Sequence, residues 1–140
     1  MKIRSDEVVF VDTGAWIALA ATGDSLHERA TAQWDQLLRS GARLRTSVPV
    51  ILETFTYLDR KGSRELALRW RESLRRVAHF EILPCGPADL EAAWPFFDRR
   101  DLHKLSLVDA TSFTLMRKHK IRTAFAFDVH FGAAGFRCLG

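Results

Sequence analysis

Four carboxylates in this chain stand where apolar sequence leaves little room for charge. Asp12 interrupts VFVDTGAW, Glu53 sits in VPVILETFTYL, Asp109 in LSLVDATSFTLM and Asp128 in AFAFDVHF, and no Lys or Arg falls inside any of these stretches. An acid packed among apolar side chains is costly when ionised, because desolvation and any neighbouring acid raise its pKa. If the four meet in space, the simplest compensation is a bound divalent cation. All-oxygen ligation favours Mg²⁺ or Mn²⁺ over zinc, which prefers His and Cys. Such an ion keeps some of its water, and an acid beside it can orient one water for attack on phosphorus. Each acid also has an ordinary explanation of its own. Asp12 can cap the helix after it, and Asp109 stands three residues after Ser106 in a Ser-x-x-Asp that resembles a capping box. Glu53 can lie on an exposed strip beside Tyr57, and Asp128 can belong to a turn. Those separate explanations say nothing about the four meeting.

Whether they meet depends on the elements that carry them. Residues 8–11 have the pattern of a buried strand, and an apolar helix follows from Thr13. Ser25, three residues ahead of Glu28, predicts the N-cap of a second helix. A short strand is expected at about 44–47, with Pro49 well placed to start the next helix. Gly62 and Ser63 break that helix before an amphipathic stretch. A strand at 80–83, a helix from Pro87 to about Arg99, a helix from Ser106 to about His119, a strand at 123–127 and a last strand at 136–139 complete the chain. Strands alternating with helices predict an α/β fold, a parallel sheet covered by helices on both faces. Asp12 and Asp128 end strands, which places them at the carboxyl edge of that sheet. The covering helices run opposite to the strands, so their N-termini lie at the same edge, and Glu53 and Asp109 fall in or near first turns. All four acids are therefore expected at one edge, where open α/β sheets build their sites.

The bulk properties bound the partners. A length of 140 residues, 47% hydrophobic and 27% charged, suits a single globular domain over 1–140. The net charge of +4 and a pI near 9.5 fit a polyanionic partner, though weakly. Arg60, Arg64, Arg71 and Arg75 follow helical spacing and line one face, with Leu66, Trp70, Leu74 and Val77 on another. That face is first of all an ordinary solvated one, and alternatively a phosphate-contacting stripe. The four Trp and ten Phe are expected in the core. Cys85 and Cys138 have no metal-like spacing and are expected as two buried thiols. The start MKIRSDEVVF is unlike a secretory signal, and the apolar run 15–21 is too short to span a membrane. A cytoplasmic protein is the expectation.

At the four acidic stretches the sequence resembles the PIN-domain ribonucleases, in particular the toxin subunits of VapBC-type toxin–antitoxin pairs, and the resemblance runs nearly end to end. VVFVDTGAWIAL is similar to the first acidic motif of that family, with LHERA resembling the segment that often follows it. SVPVILETFTYL resembles the second, LSLVDATSFTLMRK the third, and AFAFDVHFGAAGFRCLG the fourth. The resemblance implies a three-layer α/β/α sandwich with a central parallel sheet, Mg²⁺- or Mn²⁺-dependent cleavage of RNA, a small antitoxin partner and a homodimer. It further implies that Asp12 and Asp109 are the principal metal ligands, with Glu53 and Asp128 completing the acidic pocket and orienting water. The sequence departs from the pattern at Ala126, where many relatives have Thr or Ser before the fourth acid, so a hydroxyl contact to water is lost there.

Rival readings fit less of the chain. Asp12-Thr13-Gly14 matches the local signature of an aspartic protease, but those enzymes need a second such acid in a β-rich fold. A haloacid-dehalogenase-like phosphatase wants an acid where Gly14 stands. No phosphate-cradling glycine motif occurs. His130, two residues from Asp128, and His27 are expected in structural or exposed roles, and Asp24 and Asp101 in loops or caps. Two alternatives keep the fold: a catalytically silent interaction module, which would lack an acid, and a metal-dependent DNA nuclease.

Overall fold

The computed structural model describes residues 3–140. Strand β1 (Val8–Val11) is apolar throughout, and Val9, Phe10 and Val11 are fully enclosed, as a parallel strand covered on both faces must be. Helix α1 (Thr13–Ala20) starts at once after Asp12. Helix α2 (His27–Ser40) ends at Gly41, whose φ of +71° is the left-handed conformation that glycine adopts at little cost. Strand β2 (Arg43–Ser47) runs straight into α3 (Val48–Tyr57). Ser47 Oγ accepts from the Val50 amide at 3.3 Å, and Pro49 lies in the first turn, where its missing N–H is not needed. A π-helical turn (Leu58–Gly62) continues α3, and Ser63 caps α4 (Arg64–Leu74) by accepting from the Leu66 amide. Then follow β3 (Phe80–Leu83), α5 (Pro87–Ala93) with a 3-10 turn (Trp94–Asp98), and α6 (Leu107–Lys118). Strand β4 (Thr123–Phe125), helix α7 (Val129–Ala133) and strand β5 (Arg137–Leu139) close the chain.

Among the described residues the five strands form one all-parallel sheet in the order β3-β2-β1-β4-β5. The chain steps outward from β1 to β3, crosses back to β4 on the other side of β1, and steps outward again to β5. Right-handed crossovers then carry α1 to α4 over one face and α5 to α7 over the other. The neighbours agree: α1 packs on α2 and α3, α5 on α6, and α6 on α7. This is the three-layer sandwich, and its topological switch point lies between β1 and β4. The crevice beyond the carboxyl ends of those two strands is where such a sheet offers a site.

Two aromatic clusters fill the layers. Trp16 meets Trp34, Trp70 and Phe80 edge-on, with ring centroids 5.5–5.9 Å apart. Its indole N–H donates to Thr46 Oγ1, which in turn donates to the Val11 carbonyl. On the other face Phe113 packs against Phe96, Phe131 and Phe136. Trp70 and Leu74 of α4 are buried as the amphipathic pattern requires, while Arg64 is bound to Asp59 and Arg75 to Glu72 on the solvated face. No helix among the described residues is long and apolar enough to cross a membrane.

Four expectations need correction. Trp94 and Phe97 are not in the core; each is 45% exposed. Ser25 does not cap α2; Asp24 Oδ1 accepts from the Leu26 amide at 2.8 Å instead and holds the turn before the helix. The strand expected over 123–127 stops at Phe125, and the unforeseen α7 follows Asp128. Cys85 and Cys138 are free thiols but only half-buried.

Candidate active site

Asp12 stands at the N-cap position of α1, in extended backbone, yet its side chain makes no capping hydrogen bond. The residue is only 3% exposed, and Oδ1 is buried without a hydrogen-bond partner among the described residues. Burial pushes its pKa from the ordinary 3.8 up to about 7. The nearby Glu53 and Asp128 carboxylates add to that rise, and the Thr13 and Gly14 amides oppose it. Two short strands place it: the Asp12 amide donates to the Phe125 carbonyl at 3.0 Å, tying the end of β1 to the end of β4.

Asp109 lies in the first turn of α6. Ser106, the N-cap, accepts from its amide at 3.0 Å. Phe113 and Met116, one and two turns on, are fully buried, so this face of α6 points into the protein. Burial, then Asp12 and Asp128, raise the Asp109 pKa well above the carboxylate range, and a direct contact with Asp128 contributes; the Ser106 hydroxyl works against the rise. Asp128 caps α7, its Oδ1 accepting from the His130 amide at 2.8 Å. His130 Nδ1 lies 2.7 Å from the same oxygen, closer to an ion-pair contact than to an aligned hydrogen bond, and Nε2 lies 2.6 Å from the His103 carbonyl. Glu53 is half-buried in the second turn of α3, near enough to Asp12 to act on its charge.

The four acids thus converge at the switch-point crevice. Asp109, Asp128 and His130 each offer an atom within 4.8 Å of the others, a grouping able to hold a metal ion. The unpartnered Asp12 Oδ1 and the contact between Asp109 and Asp128 fit a hard cation with carboxylate ligands. His130 is the residue that sequence reasoning undervalued. It is structural, as expected, but what it structures is Asp128, and its spacing of two from that acid was the available signal. Cys138 is also close: burial, then Asp12 and Asp128, push its thiol pKa up. Nothing in the sequence pointed to that neighbour.

Comparison with known proteins agrees with this geometry. The PIN-domain family profile matches residues 9–137. The 23S rRNA-specific endonuclease VapC20 of Mycobacterium tuberculosis is 40% identical over 131 residues, which covers 92% of this chain and 95% of that protein. The crystal structure of the Mycobacterium tuberculosis VapC20, described as a sarcin-ricin loop cleaving toxin, superimposes with a TM-score of 0.79 at 36% identity, covering 91% of this chain and 95% of the other. VapBC2 from Rickettsia felis, crystallised on a DNA fragment from its promoter, shares the fold alone, with a TM-score of 0.69, 9% identity and coverage of 94% and 96%. This chain belongs to the PIN-domain family, on its VapC-type branch.

Proposed function

We propose that this single domain is a metal-dependent endoribonuclease and the toxin of a toxin–antitoxin pair. The observation that carries the proposal is the meeting of Asp12, Glu53, Asp109 and Asp128 at one crevice, with Asp12 and Asp109 raised in pKa by burial and by the neighbouring carboxylates. The relative's activity on 23S rRNA supports RNA as the substrate class. Asp12, Asp109 and Asp128 would hold Mg²⁺ or Mn²⁺ through carboxylate oxygens. A divalent ion there would polarise the scissile phosphate and make a water nucleophilic near neutral pH. His130 fixes the orientation of Asp128, as outer partners of ligands commonly do. Glu53, at the mouth of the crevice, orients the attacking water. The protein's expected partners are a second copy of itself and a small antitoxin, the latter supported by the chain's place on the VapC-type branch of the family. Incubating the purified protein with total RNA, in Mn²⁺ or in excess chelator, tests the activity. New RNA ends are expected with metal only, and undiminished cleavage in chelator would exclude this mechanism. Sedimentation velocity tests the dimer.

A further inference from the structure

At the amino edge of the sheet, opposite the crevice, the charge reverses. A hollow of about 730 Å³ opens there between the end of α6 and the starts of β4 and β5, and Arg117, Lys120, Arg122 and Arg137 line it. Glu7 is the acid in its wall, and its Oε1 already accepts from Arg137 Nη1 at 2.8 Å and from the Thr123 hydroxyl at 3.0 Å. Arg117 lies over the Phe96 ring. Lys120 and Arg122 are exposed, and neither has an ion-pair partner among the described residues. The backbone that presents Lys120 is unusual. The Ile121 amide donates to the Met116 carbonyl at 2.7 Å and the Lys120 amide to the Arg117 carbonyl at 3.2 Å, the paired bonds of a Schellman turn closing α6. Met116 and Ile121 are both buried, as that motif favours. The left-handed slot of such a turn is most often glycine, because a Cβ is strained there. This chain places Lys120 in it, at a φ of +57°. A strained position held by a charged residue at the mouth of a hollow points to a use for that charge.

We propose that this hollow is a second RNA-binding site, remote from the chemistry: Lys120 and Arg122 hold backbone phosphates of the substrate several nucleotides away from the cut. The proposal rests on the nuclease reading and adds to it where the substrate's charge is met. Three features support it. The crevice gathers four carboxylates and so offers a polyanion little attraction of its own. The basic stripe of α4 is partly spent, with Arg64 held by Asp59 and Arg75 by Glu72, whereas Lys120 and Arg122 are not. The two sites are also rigidly connected, because Asp109 and Lys120 stand at opposite ends of α6. At 1.5 Å per residue they are roughly 16 Å apart along its axis, within the span of one folded RNA. Contacts of this kind read phosphates and not bases, so the hollow would set affinity and orientation and leave the choice of cleavage position to the other edge.

The test reads binding first. The protein is titrated in chelator with total RNA at several salt concentrations. Lys120→Gly with Arg122→Gln should weaken binding by about tenfold and reduce the salt slope by about 1 to 2. Lys120→Gly removes the charge and also relieves the left-handed backbone, so this double variant should melt no lower than its parent. Arg71→Gln with Arg75→Gln removes the same charge from the solvated face of α4 and is the control, expected to shift the slope by less than half as much. With Mn²⁺ present, the Lys120/Arg122 variant should cut total RNA several-fold more slowly when RNA is limiting and at the parent's rate when RNA is saturating. RNA binding unchanged by the double variant overturns the site. An equal loss in the α4 control also overturns it, because net charge alone is then the cause, and a lower rate at saturating RNA would place these residues in the chemistry instead. Vesicles containing phosphatidylglycerol are the last arm: loss of vesicle binding with RNA binding intact would make the hollow a membrane contact and overturn the proposal. Binding in the expected pattern by a wild-type protein that never cuts RNA counts against the nuclease reading alone.

Discussion

Ionising Asp12 works against folding. Its pKa of about 7 in the folded chain stands above the ordinary 3.8, so the folded state holds this proton more tightly than the unfolded state does. The contribution to stability is intact below about pH 4 and is lost as pH rises through about 7. Asp12→Asn removes that loss. In chelator the variant should melt above the wild type at about pH 8, by roughly 5 °C or more, with the gap closing towards about pH 4. A gap independent of pH would mean that the ionisation of Asp12 is not its cause. Adding Mn²⁺ should raise the melting temperature of the wild type more than that of the variant, since binding to the folded state alone stabilises it. Activity should move the other way. Asp12→Asn and Asp109→Asn should each lower turnover at least ~100-fold at saturating metal, because each removes ligand charge; near wild-type rates in either would remove that residue from the site. These acids were legible in the sequence because charge inside an apolar run has few explanations. His130 was less so, because a contact with the next acid along the chain depends on the turn of α7, which five residues encode too briefly to show as a pattern.

At the scale of elements, the helix starts do the positioning. Asp109 reaches the crevice because Ser106 begins α6 where it does, and Ser106 Oγ binds the amide of the residue whose carboxylate matters. Ser106→Ala should cost about 1 kcal/mol of stability, as N-cap losses do, and should also lower cleavage several-fold by letting the first turn fray. Comparing thermal melts with initial rates at saturating metal separates the two effects. A stability loss with wild-type rates would show that the cap supports the fold without placing Asp109. Most elements could be anticipated for the same local reasons: β1 is a plain apolar run, Pro49 suits a first turn, and Ser63 and Ser106 cap. The misses have local causes as well. Asp24 competes with Ser25 for the same turn, and its carboxylate, accepting from Leu26, wins. The π turn at Leu58–Gly62 is joined to α4 by a bidentate pair between Asp59 and Arg64 across the helix break, and periodicity alone does not reveal it.

The whole molecule presents two surfaces of opposite kind: an acidic crevice at the switch point, and a cleft of about 740 Å³ on the α1–α2–α4 side. Trp16, Leu19, Trp34, Leu38 and Leu66 supply the apolar part of that cleft, and Arg69 and Arg76 stand at it. An inhibitory segment suited to both surfaces would lay apolar residues in the cleft and send an Arg into the crevice. There a guanidinium could pair with Asp12 and Asp109 and take the place of the metal. Such a segment needs no fold of its own before binding. Expression of this protein alone should then arrest bacterial growth, the Asp12→Asn variant at equal abundance should not, and co-expression with a cognate small partner should restore growth. Leu38→Asp should keep the toxicity but escape the partner, because it puts an unpaired charge into the apolar cleft without touching the acids. Rescue of Leu38→Asp equal to that of the wild type would move the inhibitor off this cleft. If the wild type is harmless at high expression and no small protein co-purifies with it from its native host, the toxin role fails, and RNA cleavage by the purified protein would then stand on its own.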